Sequence, residues 1–98
     1  MEGPDEIIHQ SVRLKIMASL YAQRGGEPLD FAQLKAIAGA TDGNLGSHWV
    51  TLEKADYISI DKDFIGKRPR TRVSISAAGA KAFRQHTGYL RDILDAAG

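Results

Sequence analysis

The side chains best placed for chemistry in this chain are cations and small polar groups, not thiols or paired carboxylates. Lys67, Arg68, Arg70 and Arg72 fall within six residues, and no acid occurs from Phe64 to Ile75. Cations clustered on a hairpin suit phosphate or minor-groove contact, because every phosphate they neutralise releases condensed counterions. A second set, Asn44, Ser47 and Thr51, recurs at steps of three and four. On a helix that spacing puts the side chains on one face. There Asn can pair bidentately with adenine, and Ser or Thr can adapt to several base edges. Lys54 adds a cation to the same face.

Other chemistries find little footing. The chain has no cysteine, which removes disulfides, thiolate nucleophiles and Cys-based metal sites and fits a reducing compartment. Its three histidines, His9, His48 and His86, fall on different predicted elements without a second ligand at i+3 or i+4. His86 and Asp92 are six apart, close to neither helical spacing. No glycine-rich phosphate loop, HExxH or GxSxG pattern occurs. These features predict a protein that is not an enzyme and takes no cofactor and no metal.

The 98 residues give room for one folded domain, spanning 1–98. A 43% hydrophobic and 26% charged content is that of an ordinary globular chain, and the formal net charge is only +1. The case for a nucleic-acid partner therefore rests on where the charges lie. The start, MEGPDEII, lacks the basic and apolar regions of a signal peptide. No apolar run approaches the roughly 18 residues needed to span a bilayer, so a cytoplasmic location is expected.

The elements that must position these residues follow from periodicity. Met1–Pro4 reads as a loose end, and a helical turn is expected over 5–9. Ser11 is the expected cap of a helix to about Gln23, with Val12, Ile16 and Leu20 in one row and Leu14, Met17 and Tyr21 beside it. Gly25 and Gly26 stop it. Glu27-Pro28-Leu29 is extended and suits a short edge strand. Asp30 caps a second helix, 31–38, with Phe31, Leu34 and Ile37/Ala38 as its buried face, and Gly39 ends it. After a tight turn, Thr41 or Asp42 caps a third helix to about Ala55. Two short helices joined by such a glycine-bearing turn make a helix-turn-helix, here about 30–56. The period then becomes two. Ile58 and Ile60 alternate with Ser59 and Asp61, and Val73 and Ile75 with Arg72 and Ser74. Phe64 to Arg70, with Gly66 and Pro69, reads as the hairpin tip of a wing spanning about 57–76. Ser76 caps a final helix, about 77–96.

Three stretches then carry a family resemblance. Gly43–Ile58 (GNLGSHWVTLEKADYI) resembles the recognition helix and following strand of winged-helix regulators related to the ArsR and MarR families. His9–Ile16 is similar to the opening of their first helix, and Lys67–Gly79 to their wing and the start of their last helix. The resemblance implies an α+β, mainly helical, winged helix-turn-helix of order α-β-α-α-β-β-α with a C-terminal dimerisation helix. Asp56 stands where these relatives usually carry glycine, and Trp49 where leucine is commoner. The chain is also shorter than typical MarR-type proteins.

Projected as a wheel, the third helix turns Leu45, Trp49 and Leu52 to the core. Gly43, Ser47, Val50 and Lys54 fall opposite, with Asn44 and Thr51 on the shoulder. Small residues there permit close approach to a major groove. His48 sits between the two arcs, where packing is the leading reading and DNA contact the second. In the last helix Ala80, Phe83, Thr87, Leu90 and Leu94 form a seam like that of a coiled coil, flanked by Tyr89 and Ile93. Phe83, Thr87, Leu90 and Leu94 are the expected homodimer contacts, with Gly88 an oddity in mid-helix. The expected activity is sequence-specific binding of double-stranded DNA by a dimeric regulator, more readily a repressor. Asn44, Ser47, His48 and Thr51 would meet the groove, and Lys54, Lys67, Arg68, Arg70 and Arg72 the phosphates. The competing reading is a winged-helix module for protein interaction or RNA. No residue set identifies a small-molecule effector.

Overall fold

The computed structural model describes residues 4–97. The chain runs α1 (Ser11–Ala22), β1 (Leu29–Asp30), α2 (Phe31–Ala38), α3 (Asp42–Lys54), β2 (Ile58–Ile65), β3 (Arg68–Ile75) and α4 (Ala77–Ala96). The three strands form one antiparallel sheet in the order β1-β3-β2. This is the winged helix-turn-helix order that the sequence predicts.

Ahead of α1, Asp5 organises one turn. Its Oδ1 accepts from the amides of Ile7 (2.9 Å) and Ile8 (3.0 Å), and the His9 amide donates to its carbonyl at 2.7 Å. Of the expected loose end, Met1–Gly3 lie outside the described residues. The cap of α1 is Gln10, not Ser11. The longer Gln10 side chain reaches forward, and its Oε1 accepts from the amides of Val12 (2.8 Å) and Arg13 (3.1 Å). That satisfies two of the orphan donors of the first turn. At the other end Arg24 lies over the Tyr21 ring, 3.8 Å from its centroid, and Gly25 takes the left-handed conformation, φ +79°.

The α2–α3 unit is set by its caps. Asp30 accepts from the Gln33 amide at 2.8 Å, while Gln33 Oε1 accepts from the Asp30 amide at 2.9 Å, a reciprocal capping box. Gly39 (φ +63°) closes α2, and Thr41 Oγ1 caps α3 by accepting from the Asn44 amide at 3.3 Å. Phe31 packs edge-to-face on Trp49, with centroids 5.0 Å apart and planes at 80°, which fixes the angle between the two helices. Leu34 and Ala38 are buried, but Ile37 is exposed, against expectation. On a helical wheel Phe31 and Ala38 fall to one side of Leu34, whereas Ile37 falls about 60° to the other.

Within the expected wing the strands are longer and the turn tighter than predicted. The strands stay paired out to Ile65↔Arg68, leaving only Gly66 and Lys67 in the turn. Gly66 takes φ +62°, a conformation suited to glycine at the start of a two-residue hairpin loop. Pro69 therefore lies inside β3 opposite Phe64, not in the tip where the sequence places it. Next to the turn-flanking pair this is a non-hydrogen-bonded position, so the missing amide would have pointed away from β2. β1 does not reach that edge, since it pairs only with Val73 and Arg72.

At the wing base the chain must reverse from α3 into β2. Asp56 does so with φ +64°, alone among the described non-glycine residues in that region. The departure from glycine noted in the sequence is thus a real left-handed position, which Asp tolerates better than most residues. Ser76 ties the turn shut: its amide donates to the Tyr57 carbonyl (3.0 Å) and its hydroxyl to the Asp56 carbonyl (2.6 Å). The same hydroxyl accepts from the Gly79 amide at 2.9 Å and so caps α4. Gly79 lies directly on the Tyr57 carbonyl, where any Cβ would collide. Beyond this junction the inward face of the first half of α4, Ala80, Ala82, Phe83 and His86, is buried, and Phe83 stacks obliquely on Tyr21, centroids 4.9 Å apart.

Candidate nucleic-acid interface

The exposed arc of α3 is the one the wheel predicts. Leu45, Trp49 and Leu52 are buried, while Gly43, Asn44, Ser47, Val50 and Lys54 are exposed and Thr51 is half-buried. Thr51 Oγ1 donates back to the Ser47 carbonyl at 3.2 Å, which leaves its oxygen lone pairs able to accept. No acid interrupts this arc until Glu53 at its edge.

His48 does not belong to that arc. Its Nδ1 lies 3.1 Å from Arg13 Nη1, and a guanidinium only donates, so Nδ1 is the acceptor and the proton sits on Nε2. Partial burial, and then the Arg13 charge, hold its pKa below the ordinary histidine value. Arg13 Nε also donates to the Ile7 carbonyl, so His48 ties α3 to α1 and to the N-terminal turn. This is the packing reading of His48.

Register decides what the wing cations can do. With Ile58 opposite Ile75 and Ile65 opposite Arg68, one face of the ribbon carries Ile58, Ile60, Lys62 and Phe64 with Pro69, Thr71, Val73 and Ile75. The other face carries Asp61 and Asp63 directly opposite Arg72 and Arg70. Asp63 takes Arg70 bidentately, Nε–Oδ1 2.8 Å and Nη2–Oδ2 2.6 Å, and Arg72 reaches Glu27 at 3.2 Å. The guanidinium holds the Asp63 carboxyl below the usual carboxylate range, and Asp63 raises Arg70 in return. The matching acids end one rung before the tip, because Arg68 faces Ile65. Of the four predicted wing cations, Lys67 and Arg68 are thus the ones without an ion pair among the described residues. Arg70 and Arg72 are shared with carboxylates.

Helix and wing flank a common cleft of about 560 Å³ lined by Val50 and Glu53 of α3 and by Ile60, Lys62 and Thr71 of the hairpin. Trp49 forms part of its floor, and its Nε1 finds no hydrogen-bond partner among the described residues. The cleft brings the predicted groove-facing helix and the wing to one side of the molecule. Lys62, Phe64 and Ile65 lie outside the predicted site residues, yet Lys62 lines the cleft and Phe64 and Ile65 are the large exposed apolar residues at the tip.

The other predicted sites separate. In α4, Phe83 is buried inside the protomer, whereas Thr87 and Leu90 are half-buried and Leu94 is 71% exposed. The two end histidines come together despite their distant positions: the His9 and His86 rings meet edge-on, centroids 6.1 Å apart. No cluster of three or more metal-ligating side chains occurs among the described residues, and no helix among them is long and apolar enough to cross a membrane.

Comparison with known proteins agrees with this geometry. Residues 12–94 match the family model described as a winged helix DNA-binding domain. An uncharacterised protein of Methanocaldococcus jannaschii is 36% identical over 89 residues, covering 91% of this chain and 90% of that protein. Among solved structures, a transcriptional regulator homologue from Pyrococcus horikoshii OT3 superposes with a TM-score of 0.83 at 32% identity, over 94% of this chain and 88% of that one. NadR, solved with 4-hydroxyphenylacetate, is similar in fold alone, with a TM-score of 0.70 at 24% identity over 92% of this chain and 64% of its own. With the helix-turn-helix, the wing and the match all covering the same span, this chain belongs to the winged helix DNA-binding domain family.

Proposed function

We propose that this chain is a cytoplasmic, homodimeric transcriptional regulator that recognises a specific duplex DNA sequence, most simply as a repressor that occupies its operator. One observation carries the reading: the outward arc of α3 is small and mostly polar, its Val50 lines the cleft that α3 shares with the wing hairpin, and the cations at the wing tip form no ion pair among the described residues. Asn44, Ser47 and Thr51 read base edges in the major groove. Lys54, Lys67 and Arg68 hold phosphates, and Arg70 and Arg72 join them to the extent that DNA draws them from their carboxylates. The dimer is supported by the end of α4, where Ile93 and Leu94 are exposed and lie outside the core cluster of the described residues. A two-fold dimer matches inverted half-sites about one helical turn apart.

The test is selection of bound sequences from a random duplex pool at near-physiological salt. The expected result is an enriched inverted repeat. Salt-sensitive binding without enrichment would replace the specific regulator with a general DNA binder, and no binding to any duplex would turn the reading toward a protein or RNA partner.

A further inference from the structure

The tip of the wing carries more than charge. Phe64 is 70% exposed and Ile65 60%, and the two lead straight into the Gly66–Lys67 turn. Because side chains alternate along a strand, Phe64 lies on the α3 side of the ribbon beside Pro69, and Ile65 on the opposite side beside Arg68. Neither has a packing duty in the protomer, since the inward row of the hairpin leaves the core after Ile60 and Val73. The result is a thin apolar edge bordered by two cations without an ion pair among the described residues, Lys67 in the turn and Arg68 at the start of β3.

Two features say what this edge meets. The cations at its margin call for an anionic partner with an apolar interior, which a duplex groove supplies between its two phosphate rows. Addition of another chain to the free side of β2 is opposed by the charged run Asp61-Lys62-Asp63 on that edge strand. The geometry points to a minor-groove wedge: Phe64 and Ile65 enter the groove and open a base step, while Lys67 and Arg68 hold the phosphates that border it. Apolar side chains inserted in this way unstack the step and bend the duplex toward the major groove. Pyrimidine–purine steps yield at least cost, so the wing adds a preference for TA or CA steps at positions that α3 does not touch. This inference rests on the DNA-binding reading above.

The experiment uses a duplex of about 30 base pairs, the one enriched by the selection or, where none is enriched, a mixed-sequence duplex. 2-Aminopurine replaces the adenine of its TA steps, and a donor–acceptor dye pair marks its ends. Wild-type protein is expected to raise 2-aminopurine fluorescence and to shorten the end-to-end distance. Phe64→Ala/Ile65→Ala, with an unchanged melting curve, is expected to bind with the same salt slope and to lose both signals. Phe64→Leu is expected to keep them. Lys67→Ala/Arg68→Ala is expected to lower the salt slope but to restore both signals at saturating protein. Wild-type binding without either signal, or signals that survive in the alanine variant, would overturn the wedge and leave duplex binding standing. Failure of the wild type to bind any duplex would overturn both readings. A change in the sedimentation of the free protein on Phe64→Ala/Ile65→Ala would give the tip to self-association and end the proposal.

Discussion

The two ends of the wing hairpin are built on opposite principles. At its base the polar groups are engaged: Ser76 bonds both carbonyls of the Asp56–Tyr57 turn and caps α4. The Tyr57 hydroxyl donates to Asp5 Oδ2 at 2.7 Å. Burial, followed by that bond to a carboxylate, pushes the phenol up to about 12. Asp5 in turn donates its amide to His86 Nδ1 at 3.0 Å. At the far end of the ribbon, Phe64, Ile65, Lys67 and Arg68 are exposed, and among the described residues their side chains form no ion pair and stand outside the core. The difference teaches a division of labour along one ribbon. The base fixes the direction of the hairpin against α4 and the N-terminal turn, so that the tip can be left free for a ligand.

The strongest way to break this contrast is at Gly79. A Cβ there enters the Tyr57 carbonyl, a backbone group that cannot move without displacing the start of β2. Gly79→Val is expected to cost at least about 3 kcal/mol, at the upper end of overpacking penalties. Urea denaturation checks it, and a loss below about 1 kcal/mol would mean that the base is not the rigid anchor described. The tip should answer in the opposite way. Lys67→Glu/Arg68→Glu is expected to leave the melting temperature within a degree or two, because neither side chain is paired or buried. Duplex affinity should fall roughly a hundredfold, and the slope of log affinity against log salt should drop by about two, near 0.9 for each phosphate no longer neutralised. Unchanged affinity in an electrophoretic or anisotropy titration would remove the tip from the DNA interface.

The contrast also marks where sequence stops being legible. α2 can be read almost to the residue, because Asp30, Gln33 and Gly39 punctuate it with purely local chemistry. The core face of α3 follows from the 3.6 period through Leu45, Trp49 and Leu52. The wing cations do not yield to such reasoning. Arg70 and Asp63 are partners only because a two-residue turn sets the register, and a turn of another length would pair Asp63 differently. Phe64 keeps the period of Ile58 and Ile60, yet Gly66 and Pro69 put it in the expected tip. Only the register shows it to be a paired strand residue that extends beyond the core. Likewise nothing in the chain places His9 beside His86, or ranks Gln10 above Ser11 as a cap, since both depend on how the N-terminal turn docks.

The smallest expected effect sharpens the base half of the comparison through pH. His86 is buried against the Asp5 turn, with the His9 and Tyr89 rings beside it and Tyr57 reaching the Asp5 carboxylate. Burial first, and the neighbouring His9, hold its pKa below the ordinary histidine value, with Asp5 acting in the other direction. Its Nδ1 accepts the Asp5 amide, so the folded base requires the neutral ring. The unfolded chain protonates His86 near an ordinary pKa of about 6.5, while the folded protein resists. The unfolded state therefore binds the extra proton as pH falls through that value. Stability from this group is complete above the unfolded pKa of about 6.5 and is lost progressively below it, down to the depressed folded pKa. His86→Asn removes the titration while its Oδ1 stands in for Nδ1 as the acceptor. The variant is expected to melt with a shallower loss of stability than the wild type as pH falls from about 7.5 to about 5, the window in which histidine titrates. Parallel pH profiles for the two would show that the His86–Asp5 contact does not bear on the anchoring of the wing base.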